Sequence, residues 1–364
     1  MKSESPTILL IYTGGTIGMM ENPETGALEN FNLEQLKIHV PELERLDFVI
    51  DTYTFEPPID SSDMDTESWC KLVEIISINY DLYNGFVILH GTDTMAYTAS
   101  ALSFMLEGLR KPVILTGSQL PIGVLRTDGK ENLLTSLEIA AATLPDGSPM
   151  VPEVCIFFEN LLMRGNRTTK INAEDFNAFR SFNYPALATA GIHIKYNQPQ
   201  IHYQEKNSKE LTRHQMVHGS EFREEREDLK PHFLLDNSLT ILRLFPGISQ
   251  NIVEAVLHAP GLKAVVLGTF GSGNAPSKPW FLNALKEASD RGIVIVNVTQ
   301  CDAGSVEMER YETGYHLKQA GVVSGYDITI EAAVTKLMFL LGHHYSPEEV
   351  RHYMAIPLAG EFTR

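Results

Sequence analysis

The chain contains two apolar runs that each end in a small-residue loop carrying threonine. The first run, residues 8–12, is followed by a Thr-Gly-Gly-Thr loop that ends at Thr16. The second, residues 86–90, is followed by a Gly-Thr-Asp-Thr loop that contains Thr92. About five β-branched or aliphatic residues that end in glycine are typical of a buried parallel strand. Open α/β sheets build their sites at the carboxyl ends of such strands, so we expect Thr16 and Thr92 to share one crevice if the strands are neighbours.

Strand-like and helix-like runs alternate along most of the chain, which is typical of a sheet with helices on both faces. In the first half, the strand candidates are 7–12, 47–55, 86–90, 112–116 and 153–158, and the helix candidates are 65–80, 94–109 and 131–143. After a charged stretch at 204–231, the strand candidates are 239–245, 263–268 and 293–298, and the helix candidates are about 249–258, 278–291 and 329–342.

A length of 364 residues exceeds what one core usually supports, which favours two domains. The predicted fold class is α/β, with a large N-terminal doubly wound, mostly parallel sheet domain and a smaller C-terminal α/β domain. We expect the N-terminal catalytic α/β domain at 1–195, a charged connector at 196–235 and the C-terminal α/β domain at 236–364.

The composition argues against two kinds of binding partner, nucleic acids and membranes. A net charge of −17 repels polyanions, so we expect no nucleic-acid partner. No segment approaches the roughly 18 consecutive apolar residues of a membrane span, and the N-terminal apolar run is shorter than the core of a signal peptide. The expected location is therefore cytoplasmic, without a membrane partner. The three cysteines lack the paired spacings of metal or redox sites, and we expect buried or half-buried free thiols.

The first loop carries two adjacent glycines, which let it present backbone N–H groups and the Thr16 hydroxyl to a ligand. It can equally be a tight turn without a function. The loop lacks the Gly-Lys-Ser/Thr ending of a phosphate-binding loop and the three-glycine spacing of a dinucleotide site. In the second loop, Asp93 lies beside a hydroxyl at the end of a strand. It is either a residue of a functional site or the cap of the following helix.

A threonine nucleophile needs a neighbouring base or a lysine with a lowered pKa. His90 ends a buried strand and is more typical of a packed histidine than of a base. Lys170, in the basic segment 164–170, can reach the crevice, with a basic surface turn as the alternative. The Asp-Ser-Ser-Asp segment at 60–63 adds short polar side chains at the same sheet edge, or else caps the helix at 65–80.

Several segments together resemble one family, the bacterial-type L-asparaginases, and more narrowly its cytoplasmic type I branch. The likeness covers nearly the whole chain except 204–231, and it rests on the order and spacing of residues 12–18, 60–63, 90–95, 116–119, 164–170, 311–314 and 320–325. Each motif is weak to moderate alone, whereas the ordered set is specific.

The resemblance implies a role for each matched residue. The nucleophile of the family is a threonine of the first loop, which falls on Thr16. A second constellation of threonine, aspartate and lysine falls on Thr92, Asp93 and Lys170, in which the lysine relays protons through the threonine to water. Backbone N–H groups near Gly15 and Thr92 would stabilise the oxyanion.

The resemblance also implies the substrate and the residues that bind it. Asp60, Ser61 and Ser62 match the segment that holds the α-amino and α-carboxylate groups, and Asp93 would pair with the substrate α-ammonium. The implied reaction is hydrolysis of L-asparagine to L-aspartate and ammonia, with no metal and no organic cofactor. Whether threonine or water attacks first stays open.

One feature departs from the family pattern. Many members carry a tyrosine beside a glycine after the first motif, where this chain has Gly26-Ala27. The resemblance to other members implies that Tyr311 supplies this hydroxyl instead. Type I relatives often bind asparagine at a regulatory site, matched here around Thr169 and Arg243, and family members are usually dimers or tetramers. Allosteric activation and a homo-oligomer are thus implied.

Three other functions stay open at this point. The chain could be a glutaminase-asparaginase of broad specificity, which the relative kcat/KM for the two amides would show. It could be a glutamine-hydrolysing component of a tRNA amidotransferase, although the acidic balance opposes this. It could also be an amino-acid sensor that keeps the crevice, in which case asparagine would bind without release of ammonia.

Overall fold

The computed structural model of the chain describes residues 5–21, 28–30, 36, 38–203, 229–309 and 312–364. The larger sheet contains, in chain order, Thr7–Tyr12 (β1), Val49–Thr54 (β2), Gly85–Leu89 (β3), Val113–Thr116 (β4), Val154–Phe158 (β5), Leu161–Arg164 (β6), Ala188–Thr189 (β7) and Lys195–Tyr196 (β8). Their spatial order is β8-β7-β6-β5-β4-β3-β1-β2. Strands β1 to β5 run parallel, and each pairing from β5 to β8 is antiparallel.

Helices cover both faces of this sheet. They are Thr66–Ile78 (α1), Met95–Met105 (α2) and Gly129–Ala141 (α3). Alternate side chains of β1 enter two separate cores, because successive strand residues point to opposite faces. Leu9 and Ile11 pack with α1 and α2, whereas Ile8 and Leu10 pack with α3. A strand that is apolar on both faces is what a doubly wound sheet requires, and the predicted fold class is confirmed.

The C-terminal residues form a smaller, fully parallel sheet. Its strands, in both chain and spatial order, are Leu239–Arg243 (β9), Ala264–Thr269 (β10), Val294–Thr299 (β11) and Val323–Ser324 (β12). The helices of this part are Gln250–Leu257 (α4), Pro279–Asp290 (α5), Glu312–Gln319 (α6), Ile330–Gly342 (α7) and Pro347–Met354 (α8). Helices α4 and α5 share a core with one face of the sheet, and α7 and α8 share a core with the other.

Short elements complete the described chain. The two-stranded ladders pair Met19–Glu21 with Leu28–Asn30, Thr169–Lys170 with Phe179–Arg180, and Leu106–Glu107 with Lys230–Pro231. The 3-10 helices are Thr16–Gly18, Pro41–Arg45, Ser61–Asp63, Gly165–Arg167 and Gln198–Gln200.

The two sheets are joined through helix-to-helix packing of α2 against α7. Phe104 of α2 and Phe339 of α7 lie with ring centroids 6.3 Å apart in a shared apolar cluster. Of the boundaries predicted at 195 and 236, β8 ends at Tyr196, and residues 204–228 of the connector lie outside the described residues. The domain boundaries therefore stay a prediction.

Two expectations need correction. The helix expected to run to residue 109 ends at Met105, because residues 106–107 pair with a segment more than 120 positions further along the chain. Cys155 is buried and Cys70 half-buried as expected, but Cys301 is exposed; all three are free thiols.

Among the described residues, no helix is long and apolar enough to cross a membrane.

Candidate active site

The strand order places the two threonine loops side by side. From β1 the chain passes to β2 on one flank and then returns to β3 on the other flank, so β1 is where the direction of winding reverses. In doubly wound sheets, ligands bind outside the carboxyl ends of the strands at such a switch point. The loops that follow β1 and β3 both leave at that edge.

The two loops touch through glycine backbone. Gly15 has a φ of +91°, a region that favours glycine. A Cβ atom built on Gly15 would lie only 2.5 Å from both the Cα and the N atom of Gly91. The residues that directly follow these two glycines are Thr16 and Thr92, both half-buried. The two loops are therefore in contact directly before the two threonines.

The Asp60 segment closes against both loops. The N–H of Ile59 donates to the carbonyl oxygen of Thr13 at 2.7 Å. A Cβ atom on Gly14 would overlap the carbonyl oxygen of Ile59, and one on Gly91 would lie 2.5 Å from Ser61 Oγ. Three loops therefore meet at one place, and small residues allow the contact.

Asp60 caps its own short helix. Its Oδ1 accepts hydrogen bonds from the N–H of Ser62 at 2.9 Å and from Ser62 Oγ at 2.8 Å, at the start of Ser61–Asp63. These bonds hold the pKa of the Asp60 carboxyl below its ordinary value, so it is ionised at neutral pH. The long helix α1 is capped by Asp65 instead. Asp60 thus presents an exposed carboxylate at the crevice.

Lys170 joins the second loop directly. Its Nζ donates to Thr92 Oγ1 at 2.8 Å and to Asp93 Oδ1 at 2.7 Å. The Lys170 side chain is 18% exposed, whereas that of Asp93 is 67% exposed. The N-cap position of α2 is Thr94, whose hydroxyl donates to the carbonyl oxygen of Ser61 at 2.6 Å. Asp93 therefore does not serve as the cap and is paired with the lysine.

His90 lies beneath this loop and is fully buried. Trp69 Nε1–H donates to Thr98 Oγ1 at 2.9 Å, so the Thr98 hydroxyl can donate its own hydrogen to His90 Nε2, also at 2.9 Å. Donor counting then places the His90 proton on Nδ1, which lies 2.7 Å from the carbonyl oxygen of Gly91. Burial lowers the pKa of His90 from 6.5 to about 4, which keeps the ring neutral. His90 is a packed histidine that supports the loop.

Two groups of predicted residues remain predictions. Tyr311 and the pair Gly26-Ala27 lie outside the described residues. Thr169 Oγ1 donates to Glu331 Oε1 at 2.6 Å, and Arg243 Nε donates to Gln300 Oε1 at 3.3 Å. Within the described ranges, no hydrogen bond or ion pair connects the two predicted regulatory residues to each other.

Sequence reasoning missed the buried partners of the site. Thr98 and Trp69 orient His90, and Glu331 binds the residue before Lys170. The available signal was weak: Thr98 is one polar residue on the helical stretch that follows the second loop, four positions after Thr94. In the part of the chain that the structure describes, no cluster of three or more His, Cys, Asp or Glu side chains could hold a metal ion.

A threonine hydroxyl bound by a paired lysine, close to a second threonine loop at the switch point of a doubly wound sheet, is typical of α/β enzymes that activate a hydroxyl group. The comparisons give its family. The family model for the asparaginase N-terminal domain matches residues 7–202, and that for the glutaminase/asparaginase C-terminal domain matches residues 239–354. The chain belongs to the asparaginase family and is an amidohydrolase.

Individual relatives match over most or all of their length. The chain is 45% identical over 366 residues to L-asparaginase 1 of Escherichia coli (strain K12), with 99% of each covered. The crystal structure of L-asparaginase I from Vibrio cholerae O1 biovar eltor str. N16961 matches with a TM-score of 0.85 and 42% identity, over 99% of this chain and 100% of that one. A component of the glutamyl-tRNA(Gln) amidotransferase of Pyrococcus horikoshii is 31% identical over 371 residues, which cover 100% of this chain and 78% of the relative.

Proposed function

We propose that this chain is an L-asparaginase, which hydrolyses L-asparagine to L-aspartate and ammonia. One observation carries the proposal: Lys170 Nζ binds both Thr92 Oγ1 and Asp93 Oδ1. The loop that contains Thr92 and Asp93 packs on the loop that contains Thr16. The 45% identity to a protein named L-asparaginase 1 supports asparagine as the substrate.

The proposed reaction has two halves. In the first, Thr16 Oγ1 attacks the side-chain amide carbon of asparagine, its proton passes to the leaving nitrogen, and ammonia departs from an ester on Thr16. Backbone N–H groups near Gly15 and Thr92 stabilise the oxyanion. In the second, water held by Thr92 attacks the ester, the proton that the relay takes from this water is passed on to the departing Thr16 Oγ1, and aspartate leaves with the Thr16 hydroxyl restored.

Lys170 manages the proton of the attacking water in this scheme. Thr92 passes its hydroxyl hydrogen to Lys170 Nζ as it takes a proton from water. For this step the lysine must be neutral, so it must first release a proton. The Asp93 carboxylate, bound to Nζ and largely exposed, offers that proton a route to solvent.

The charged ends of the substrate have matching partners at the crevice. Asp93 pairs with the α-ammonium group in the proposal, because its carboxylate is exposed beyond its bond to Lys170. Asp60, Ser61 and Ser62 hold the α-amino and α-carboxylate ends, with the ionised Asp60 carrying the negative charge.

Four finer features belong to the proposal, the first three on the strength of the family resemblance and the fourth on the composition. Tyr311 supplies the hydroxyl partner of Thr16. Asparagine activates the enzyme at a second site around Thr169 and Arg243. The enzyme is a homo-oligomer, a dimer or a tetramer, and acts in the cytoplasm without a nucleic-acid or membrane partner.

One coupled assay of ammonia release, run over a range of asparagine and glutamine concentrations, tests the proposal. Thr16→Ala and Thr92→Ala should each lower kcat on the order of 10³-fold or more, because each removes a group that acts in the transition state. Thr189→Ala, at an exposed threonine on β7, is the matched control and should behave as the parent enzyme. Near-normal turnover by either active-site variant, with native circular dichroism, would refute the assignment.

The same assay tests two of the finer features. A sigmoidal dependence of rate on asparagine that becomes hyperbolic in Thr169→Ala supports regulation, and unchanged kinetics in Tyr311→Phe would exclude Tyr311. The amidotransferase alternative, favoured by the likeness to the Pyrococcus horikoshii protein, predicts hydrolysis of glutamine rather than asparagine. Turnover of free asparagine by the isolated chain contradicts it.

A further inference from the structure

The segment that leads into Lys170 is attached to the C-terminal part of the chain through most of its residues. The bonds run from Arg164 Nη1 to the carbonyl of Gly360 (3.5 Å), Asn166 Nδ2 to the carbonyl of Ala359 (2.9 Å), Arg167 Nη2 to Asp327 Oδ2 (2.8 Å) and Thr363 Oγ1 (3.2 Å), and Thr169 Oγ1 to Glu331 Oε1 (2.6 Å). We call residues 164–169 the anchor segment. Its last bond, at Thr169, is adjacent to the lysine.

Glu331 is one of two half-buried carboxylates among these partners, with Asp327, and it is the one that binds the residue next to Lys170. It lies in the first turn of α7 and accepts the shortest of these hydrogen bonds. Burial raises the pKa of Glu331, and the Thr169 hydroxyl partly opposes this effect. Moving a carboxylate away from water costs free energy unless hydrogen bonds offset the loss, and the Thr169 hydroxyl supplies one such bond.

The local geometry explains how Glu331 can act on the lysine. Thr169 and Lys170 form a two-residue strand that pairs with Phe179–Arg180. Successive strand residues point to opposite faces, so Thr169 faces Glu331 while Lys170 faces the threonine loop. A ladder of two residues is marginal by itself, and the Thr169 bond is the anchor nearest to Lys170 that can fix where the opposite face points.

We infer that Glu331 is a positioning residue for Lys170: by accepting the hydrogen bond of Thr169, it holds the strand so that Nζ meets both Thr92 and Asp93. The inference rests on the proposed function where it concerns turnover. The C-terminal domain of the same chain then sets the geometry of the proton relay, although the relay residues come from the N-terminal domain.

Kinetics of a small set of variants test this role. Glu331→Ala should lower kcat at saturating asparagine on the order of 10- to 100-fold with little change in KM, because a shift of about 1 Å in a catalytic group has effects of this size. Thr169→Val should match it, and the double variant should be no worse than either single one, because both remove the same bond. Glu331→Gln should recover most of kcat, because its amide oxygen still accepts from Thr169.

Thr335→Val is the matched structural control. Thr335 is fully buried one turn further along α7, and its hydroxyl donates to the backbone carbonyls of Glu331 (2.8 Å) and Ala332 (3.4 Å) rather than to the Glu331 carboxylate. This variant removes a buried hydroxyl from the same helix without touching Thr169. It should lower the melting temperature without lowering kcat.

A second measurement does not depend on turnover. Pulse labelling with acetic anhydride, followed by mass spectrometry, reports how readily the Lys170 amine reacts. Labelling of Lys170 should rise several-fold in Glu331→Ala and return to the parent level in Glu331→Gln, because release from Thr92 and Asp93 frees the amine. If the parent chain releases no ammonia while this labelling pattern holds, the proposed function fails and the positioning role stands.

Two results would overturn the inference. One is a folded Glu331→Ala variant with unchanged kcat and unchanged Lys170 labelling. The other is a loss of kcat in Thr335→Val equal to that in Glu331→Ala, which would make the effect one of helix stability alone.

Discussion

His90 should make the folded protein sensitive to mild acid, through the loop that carries Thr92. The ring is fully buried, accepts from the Thr98 hydroxyl at Nε2 and donates to Gly91 from Nδ1. Protonation at Nε2 would turn this acceptor into a donor and would charge a ring that is out of contact with water. Folding therefore favours the neutral ring.

The size of the effect follows from the pKa of His90, which folding lowers from 6.5 to about 4. The unfolded chain takes up the proton first as the pH falls, so stability is intact above pH 6.5 and is lost toward pH 4. The complete shift corresponds to about 3.4 kcal/mol. Between pH 7.5 and pH 4.5, about 2.5 kcal/mol of the free energy of unfolding should be lost at this one site.

The assay is urea denaturation of the parent chain and of His90→Gln at several pH values in this interval. The variant is less stable at pH 7.5, because the hydrogen bonds of the ring are lost. It has no imidazole at this position, so its stability does not change with protonation there. The stability difference between the two proteins should therefore shrink by about 2.5 kcal/mol at pH 4.5. His193→Gln, at an exposed histidine, controls for the loss of a histidine as such. A parent-to-variant difference that stays constant over this pH range would refute the reasoning.

Two further substitutions test the packing on which the site depends. Gly15→Ala should abolish activity and destabilise the fold, because the added Cβ would lie 2.5 Å from the Gly91 backbone. Gly147 also has a positive φ but has open space around it, so Gly147→Ala should lower the free energy of unfolding by only about 1–2 kcal/mol in the same denaturation assay. Lys336→Met should lower the free energy of unfolding by roughly 3–5 kcal/mol, because it leaves Glu361 charged and unpaired in the interior, and adding Glu361→Gln should restore part of that loss; an additive double variant would contradict this account.

The elements nearest the crevice were predictable because their signals are local. The apolar runs that became β1 and β3 are long, end in small residues, and need no distant partner to be recognised. The antiparallel strands β6 to β8 carry no such signal, since they have two to four residues each. Their pairing depends on tertiary contacts that a local pattern does not contain.

The same distinction applies to the site. The loop sequence left Asp93 open between a helix cap and a site residue, and only the position of Lys170, 77 residues further along the chain, separates the two. The hydrogen bond of Thr169 to Glu331 spans 162 residues between two domains. A local pattern identifies which residues can do chemistry. A hydrogen bond between residues so far apart in the sequence can be recognised only in the folded chain.

The buried ion pair of Lys336 and Glu361 connects stability to the position of Lys170. Lys336 Nζ lies 2.5 Å from Glu361 Oε1, and both side chains are fully buried. The Glu361 carboxylate accepts from the backbone N–H groups of Leu358 and Ala359, and the carbonyl of Ala359 in turn accepts from Asn166 in the anchor segment. An apolar pair could fill the same volume, and buried ion pairs are often no more stabilising than such a replacement. An apolar pair would not bind these N–H groups, so the charge orders the chain that holds the segment before Lys170.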